Sequence, residues 1–312
     1  SDRVATLGRV LFYDKRLSVN DTTSCAACHQ QANGFDDPRR FSTGFSGTAF
    51  TSAHAMRLGN IKFYRPGTMF WDKRAASLEL QVSQPIVHPI EMGFDSAHGG
   101  ISALLTKLAA STYYPDLFTL AFGNAAITEA RIQQALAQFA RSMISSASRW
   151  DTAYAQVFNA TAQNRNLNAP LPGFSASEEL GHQLFMTGRG QGGAGCAACH
   201  QPPTFALAAN SLSNGLDANE TIIFKSPSLK NVGLSRAFMH DGRFSTLEQV
   251  IEHYNSGIQN GPALDNRLKT PAGGPLRLNL TANEKAALVA FLLTLNDGSL
   301  TTDAKFSDPF KK

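Results

Sequence analysis

The 312-residue chain has little charge, few cysteines and no long apolar run. Charged residues make up only 17% of the sequence, which argues against extensive disorder. The net charge of +4, without any run of Lys or Arg, does not indicate a partner such as nucleic acid. No apolar stretch reaches the roughly 20 residues that a membrane-spanning helix needs. A globular protein with an ordinary core is therefore expected.

The four cysteines all fall in two copies of one pentapeptide, Cys-Ala-Ala-Cys-His, at residues 25–29 and 196–200. The pattern C-x-x-C-H indicates covalent attachment of a c-type haem, because the two thiols bind the haem vinyl groups and the histidine binds iron. Two identical copies predict two c-type haems. The predicted attachment and iron-binding residues are Cys25, Cys28, His29, Cys196, Cys199 and His200.

The position of the motifs predicts the domain organisation. A c-type cytochrome domain carries its motif near its start, so we expect two consecutive domains, residues 1–163 and 174–312. A polar stretch with Pro and Gly, residues 163–173, separates them. Helical periodicity recurs at 101–110, 128–145, 246–254 and 282–295, whereas strand-like alternation is scarce. The predicted fold is all-α and loop-rich, with covalently attached haems and a duplicated plan in which Leu-Gly precedes each motif.

Further landmarks resemble those of bacterial dihaem cytochrome c peroxidases and the related enzyme MauG. The first-haem region is similar at residues 70–75, Gln81, Pro85 and 89–92, and the second-haem region at residues 230–242 and 246–248. These landmarks occur in the same order across both predicted domains. Within this class the chain also resembles the dihaem enzyme encoded with methanobactin biosynthesis, which modifies a tryptophan of its partner.

The resemblance implies that the first haem is the one that reacts with peroxide. In the peroxidases a loop histidine caps this iron, but the matching position here is Phe45, which cannot bind iron. Glu91 occupies the family's distal acid–base position and Gln81 that of a distal amide, so both are predicted to be catalytic. Pro85 is expected to contact the haem. His54 lies near Phe45 in sequence, and we expect a surface or hydrogen-bonding role for it.

The resemblance also implies an unusual ligand for the second haem. The peroxidases have methionine fourteen residues after the histidine of the His-Asp-Gly motif, and here that position, counted from His240, is Tyr254. MauG has tyrosine there, and tyrosine binds haem iron in catalase. His253 and Met239 are rival ligands, and His240 is expected to lie beside the haem.

Two further features follow from the resemblance. Trp71 matches a tryptophan that relays oxidising equivalents between the haems, although packing in the core is the alternative. The other tryptophan, Trp150, is expected to pack, with hole exit at the surface as the alternative. A calcium ion is implied between the haems, bound by the carbonyl groups of Ser235 and Ala237 and by the side chain of Asn60.

The favoured function is that of a MauG-like oxidase. Hydrogen peroxide would produce a high-valent dihaem state shared through Trp71, which would oxidise Trp or Tyr residues of a periplasmic partner protein. A dihaem cytochrome c peroxidase, with electrons from a small redox protein, is the alternative and predicts a methionine where Tyr254 stands. A simple electron carrier would leave Gln81 and Glu91 without a role. Because bacterial c-type haems are attached outside the cytoplasm, a periplasmic location is expected, with a signal peptide already removed.

Overall fold

The computed structural model describes residues 1–206 and 210–311, and within them helices and loops form the whole fold without a β-strand. The all-α, loop-rich prediction is therefore confirmed. In the first half the helices are α1 (Asp2–Tyr13), α2 (Cys25–Cys28), α3 (Leu78–Val82), α4 (Gln84–Val87), α5 (Gly100–Ala109), α6 (Tyr114–Phe122), α7 (Glu129–Ser142) and α8 (Arg149–Val157). In the second half they are α9 (Ala176–Met186), α10 (Leu247–Glu252), α11 (Ala282–Leu293) and α12 (Gly298–Thr302).

Shorter helical turns complete the structure. A π-helical turn, His253–Gly257, continues α10 directly. The 3₁₀ turns are Lys15–Leu17, Gln31–Asn33, Ile61–Phe63, Ser96–His98, Gln163–Asn166, Arg189–Gln191, Cys196–Ala198, Val232–Leu234, Asn266–Leu268 and Ala304–Phe306. Among the described residues, no helix combines the length and the apolar character that crossing a membrane requires.

Each half is built around one closely crossed pair of helices. In the first half α1 crosses α7 at Gly8, where an added Cβ would lie 1.9 Å from the Ala135 carbonyl oxygen. In the second half α9 crosses α11 at Gly181, where a Cβ would lie 1.9 Å from the Ala287 oxygen. Only glycine lets the backbones approach this closely. The Leu-Gly repeat seen in the sequence thus marks the same crossing in both halves.

Two aromatic cores surround these crossings. Phe12, Phe118 and Phe139 are buried in the first, and Phe185, Phe205, Phe291 and Trp150 in the second. The Trp150 ring is fully buried and stacks on Tyr154 at 4.7 Å, as the packing interpretation expects. The limits 1–163 and 174–312 stay a prediction. Helix α8 packs in the second core, whereas Leu300 and Phe306 pack in the first.

Two reciprocal hydrogen bonds join the halves at the centre of the molecule. The His54 amide donates to the His240 carbonyl (2.9 Å), and the Lys225 amide donates to the Trp71 carbonyl (2.8 Å). The loops that carry Trp71 and His240 have the same shape, since the residue before each, Phe70 or Met239, has a positive φ (68° and 72°). Trp71 of the first half therefore corresponds in position to His240 of the second half.

Candidate active site

The first haem motif forms a short helix, and a backbone carbonyl lies beside the ring of its histidine. Helix α2 contains Cys25 and Cys28, and the His29 ring nitrogen Nδ1 lies 3.3 Å from the Phe35 carbonyl oxygen. This contact orients the ring and leaves Nε2 available for iron. Burial lowers the pKa of His29, which favours the neutral ring that metal binding requires.

The second motif repeats this arrangement in a 3₁₀ turn. His200 Nδ1 lies 3.3 Å from the Ser226 hydroxyl, and burial lowers the pKa of His200 to about 4. Burial also raises the pKa values of Cys25 and Cys196 to about 12. Such buried thiols lack the low pKa of a reactive redox dithiol. Both motifs fit covalent haem attachment.

An arginine donates a hydrogen bond to the backbone of each motif, and these two arginines were not predicted from the sequence. Arg39 donates to the Ala27 carbonyl (3.0 Å) and Arg267 donates to the Ala198 carbonyl (3.0 Å), in each case a backbone group inside the motif. Each guanidinium is also bonded to the aspartate two residues earlier, Asp37 or Asp265. The repeated Asp-x-Arg spacing is the sequence signal that could have identified these residues.

A cavity of about 410 Å³ lies against the second motif, within the size range of small-molecule sites. Its walls are largely apolar, with a few convergent polar groups, as a haem site requires. The predicted haem-binding residues on its walls are Cys196, Cys199, His200, His240 and Tyr254.

Tyr254 lines this cavity and belongs to the π-helical turn, His253–Gly257, that continues α10. Burial raises the pKa of Tyr254 to about 12, and a hydrogen bond with Asn214 opposes that rise. His253 Nε2 instead lies 3.1 Å from the Asn214 carbonyl, as expected if adjacent residues on a helix point differently. Met239 also lines the cavity, with its sulfur 3.3 Å from the Asn214 side-chain nitrogen. Tyr254 and Met239 thus both line the cavity, and Tyr254 as the iron ligand stays a prediction.

His240 lies on the cavity wall with its ring stacked on Phe224, at a centroid distance of 4.2 Å. Its backbone oxygen accepts the amide of His54 from the other half. This position agrees with a group beside the haem.

Glu91 lies beside the first motif, where its charge acts on both Cys25 and Cys28. Burial raises the pKa of Glu91, whereas His88 and Arg74 oppose the rise. The side chain keeps 32% of its surface exposed, so solvent moderates the effect. His88 stands 3.7 Å from the Glu91 carboxylate and accepts its backbone amide.

The Phe45 loop packs directly against the Glu91 loop. The Phe45 amide donates to the Ile90 and Glu91 carbonyls, and Gly44 approaches so closely that an added Cβ would lie 1.9 Å from the Ile90 oxygen. The residue that replaces the capping histidine therefore stands next to the proposed acid–base group.

Gln81 and Pro85 lie on the two short helices that precede Glu91. Gln81 is half-buried near the end of α3, and Pro85 is the second residue of α4. Within the described part of the chain, the Gln81 amide makes no side-chain hydrogen bond, which leaves it free for a ligand.

Trp71 is held by both halves of the molecule. Its indole nitrogen donates to the His54 carbonyl (2.7 Å), and its own carbonyl accepts the Lys225 amide. The half-buried ring also lines the cavity of the second motif. His54 itself is buried, with Nδ1 lying 3.2 Å from the Arg39 and Arg40 carbonyls, so it has the predicted hydrogen-bonding role and is not at the surface.

The side chains at the predicted calcium site are already bonded to other protein groups. Asn60 uses both side-chain amide atoms on the backbone of Ser145, at 2.9 and 3.2 Å. The Ser235 hydroxyl accepts the buried guanidinium of Arg57 (2.6 Å) and donates to Asp36. Ala237 is buried beside it. A fixed positive charge at this place opposes a second cation, and the carboxylate there is already paired with Arg57 and His54.

The chain is similar to known dihaem proteins in sequence and in structure. Residues 2–157 and 175–276 match the family described as di-haem cytochrome c peroxidase. The methylamine utilization protein MauG of Methylorubrum extorquens is 32% identical over 93% of this chain and 77% of its own length. The cytochrome c551 peroxidase of Nitrosomonas europaea is 28% identical over 94% and 79%. The crystal structure of a MauG-like protein associated with microbial copper homeostasis superposes with a TM-score of 0.79, at 32% identity, covering 100% of this chain and 94% of that one.

Proposed function

Because the chain belongs to the di-haem cytochrome c peroxidase family, we propose that it uses hydrogen peroxide to oxidise Trp or Tyr residues of a partner protein by long-range hole transfer. Family membership makes it a di-haem oxidoreductase with peroxide-dependent activity. The observation that carries the finer proposal is Tyr254, which stands on the cavity wall of the second motif where a peroxidase has methionine.

The two c-type haems would be held by the cysteines and histidines of the motifs, and they supply reaction with peroxide and storage of its oxidising equivalents. Every other task falls to the polypeptide. Phe45 leaves the first site without a capping histidine, so peroxide has access. Tyr254 lies in the π-helical turn on the wall of the second cavity, which Asn214 also lines.

Glu91 is the proposed proton carrier of the first site. As a carboxylate it accepts a proton from bound peroxide, and as a carboxylic acid it returns the proton to the leaving oxygen. A pKa raised by burial makes both forms accessible. The unpaired Gln81 amide is the proposed hydrogen-bond donor that positions peroxide.

Trp71 is the proposed relay between the sites. Its ring lines the second cavity, and its indole N–H is fixed on the His54 carbonyl. A hole passing through the indole therefore crosses from one half to the other without any movement of the chain.

An anionic tyrosine donor at the second site favours oxidised iron, unlike methionine, which suits uptake of electrons from a small redox protein. This difference favours oxidation of a partner over cytochrome c peroxidase activity, which the similarity to the Nitrosomonas enzyme keeps as the second candidate. We place the reaction in the periplasm. Calcium has no part in the proposal, since Arg57 and Asn60 are committed to other partners.

The test is to mix the haem-loaded protein with peroxide and candidate periplasmic partners, including one associated with copper homeostasis, the setting of the similar MauG-like protein. Mass spectrometry should detect added oxygen on a Trp or Tyr of one partner. A Tyr254→Met variant should lose that product while keeping both haems. Tyr13→Phe is the control, since it removes a hydroxyl of the first half that donates to the Phe306 carbonyl, and it should keep the product.

Two outcomes would contradict the proposal. If oxygen is added only to methionines of the protein itself, no partner is oxidised. If Tyr254→Met retains full partner oxidation, the tyrosine does not decide the function. Efficient peroxide consumption with a reduced small cytochrome as the sole donor would instead support the peroxidase.

A further inference from the structure

Lys225 is a buried cation on the wall of the second cavity. Only 5% of the surface of Lys225 is exposed, and the residue lines the cavity. The ammonium nitrogen lies 3.5 Å from the Met69 sulfur and 4.6 Å from the centre of the Tyr64 ring. Neither of these neighbours carries a negative charge.

Three other buried or partly buried cations each have an acidic partner. Lys230 is 2.6 Å from Asp151, Arg267 is 2.7 Å from Asp265, and Arg57 is 3.8 Å from Asp36. Lys225 makes no ion pair with any residue in 1–206 or 210–311, and residues 207–209 are Leu-Ala-Ala, without an acidic side chain. Of the two lysines that are buried among the described residues, Lys230 has an acidic partner and Lys225 does not.

An unpaired buried ammonium group is costly, because it loses its hydration without gaining a counter-charge. Burial accordingly lowers the pKa of Lys225 to about 7. Since Lys225 is among the residues that line the cavity, a ligand that enters the cavity can supply the missing negative charge. A haem carries two carboxylates on one edge, so the expected cofactor brings that charge.

We propose that Lys225 would bind a carboxylate of the second haem. The backbone of the same residue supports this arrangement, since the Lys225 amide donates to the Trp71 carbonyl. Lys225 would then contact both the haem carboxylate and the loop that carries Trp71. The proposal requires only bound haem and does not depend on oxidation of a partner.

The test is a spectroelectrochemical titration of the haem-loaded Lys225→Met variant. Loss of a positive charge beside the haem favours the ferric form, so the potential of the second haem should fall. We expect about a tenfold change in its ferric–ferrous equilibrium, which corresponds to about 59 mV for one electron. The first haem should change much less.

Two variants serve as controls. Lys225→Arg keeps the charge and should keep the wild-type potential, which also covers the case in which Lys225→Met does not fold. Lys285→Met removes an equal charge from the same half, at an ion pair with Glu252 (2.6 Å) outside the cavity, and should have no effect on either potential.

Three results would overturn the proposal. An unchanged second-haem potential in Lys225→Met, together with a higher melting temperature, would mean that the charge is unpaired in the loaded protein. A shift confined to the first haem would assign the carboxylate to the other site. An equal shift in Lys225→Arg would mean that charge is not the cause. Peroxide and partner are absent from this experiment, so failure of the proposed function would not affect it.

Discussion

Glu91 is the ionisable residue of the first site, and its surroundings decide at which pH it acts as a base. Burial raises its pKa above the usual value near 4.3, and His88 and Arg74 limit the rise. A carboxyl group with a raised pKa is ionised only above that raised value. The rate of peroxide consumption should therefore fall as the pH decreases through the raised pKa.

Replacing Glu91 with Gln removes the proton acceptor and keeps the size of the side chain. We expect the rate of peroxide consumption to fall by about 10²- to 10⁴-fold, and the acid limb of the pH profile to disappear. Stopped-flow measurement from pH 4 to 8 checks both. Glu248→Gln, at an exposed carboxylate in the first turn of α10, is the matched control and should leave both unchanged. A Glu91→Gln variant with a normal pH profile would exclude Glu91 from proton transfer.

At the scale of residues, local spacing was sufficient to predict the haem motifs, because C-x-x-C-H fixes its own geometry within five positions. The cluster of Asp36, Arg57 and Ser235 could not be predicted in the same way. Its members come from both halves of the chain and meet only in the folded protein. Nothing in the residues next to Arg57 signals that its charge is buried.

At the scale of elements, helix starts were predictable and the π-helical turn was not. Ser175, Thr246 and Thr281 each form a capping box with a Glu or Gln three residues later, a pattern that is readable in the sequence. The change to π geometry at His253 has no such local signal. Asn255 of this turn is buried, and its side-chain oxygen accepts the Leu280 amide. This contact with a distant part of the chain stabilises the turn.

The helix crossings give a prediction for the elements. Gly8→Ala and Gly181→Ala would each place a methyl group 1.9 Å from a carbonyl oxygen, so α1 or α9 must move away from its partner. We expect each change to lower the free energy of unfolding by about 1–3 kcal/mol, measured by urea denaturation. Gly190→Ala, where no atom lies within 4 Å of the added Cβ, is the control and should have little effect. Similar stabilities for all three variants would mean that the crossings tolerate a side chain.

At the scale of the whole molecule, buried charge joins the two halves. Arg57 comes from the first half, 90% of its side chain is buried, and it donates to Ser228 and Ser235 of the second half. The Asp36 carboxylate accepts the Ser235 hydroxyl and lies 3.1 Å from His54 Nε2. Because the His54 carbonyl accepts the Trp71 indole N–H, this cluster also fixes the position of Trp71, the proposed relay.

Replacing Arg57 or Arg40 should show how much each arginine contributes to the free energy of unfolding. In Arg57→Gln the buried Asp36 loses a counter-charge, and we expect the free energy of unfolding to fall by about 3–5 kcal/mol. Arg40 also bridges the halves, through Asp241, but it is 56% exposed. Arg40→Gln should therefore cost at most about 1 kcal/mol. Equal losses in urea denaturation would show that burial does not distinguish the two arginines.

The same cluster predicts how the molecule responds to removal of calcium. An ion that binds only the folded state at 100 times its Kd adds about 2.7 kcal/mol of stability, so its loss would be readily measured. With a guanidinium already on Ser235 and the Asn60 amide on Ser145, we expect excess EGTA to leave the melting temperature and the ferric spectrum unchanged. Metal analysis should find less than one calcium per chain. A melting temperature that falls with EGTA and recovers with calcium but not magnesium would instead place an ion at the Ser235 and Ala237 carbonyls, and Arg57 would then have to leave its present position.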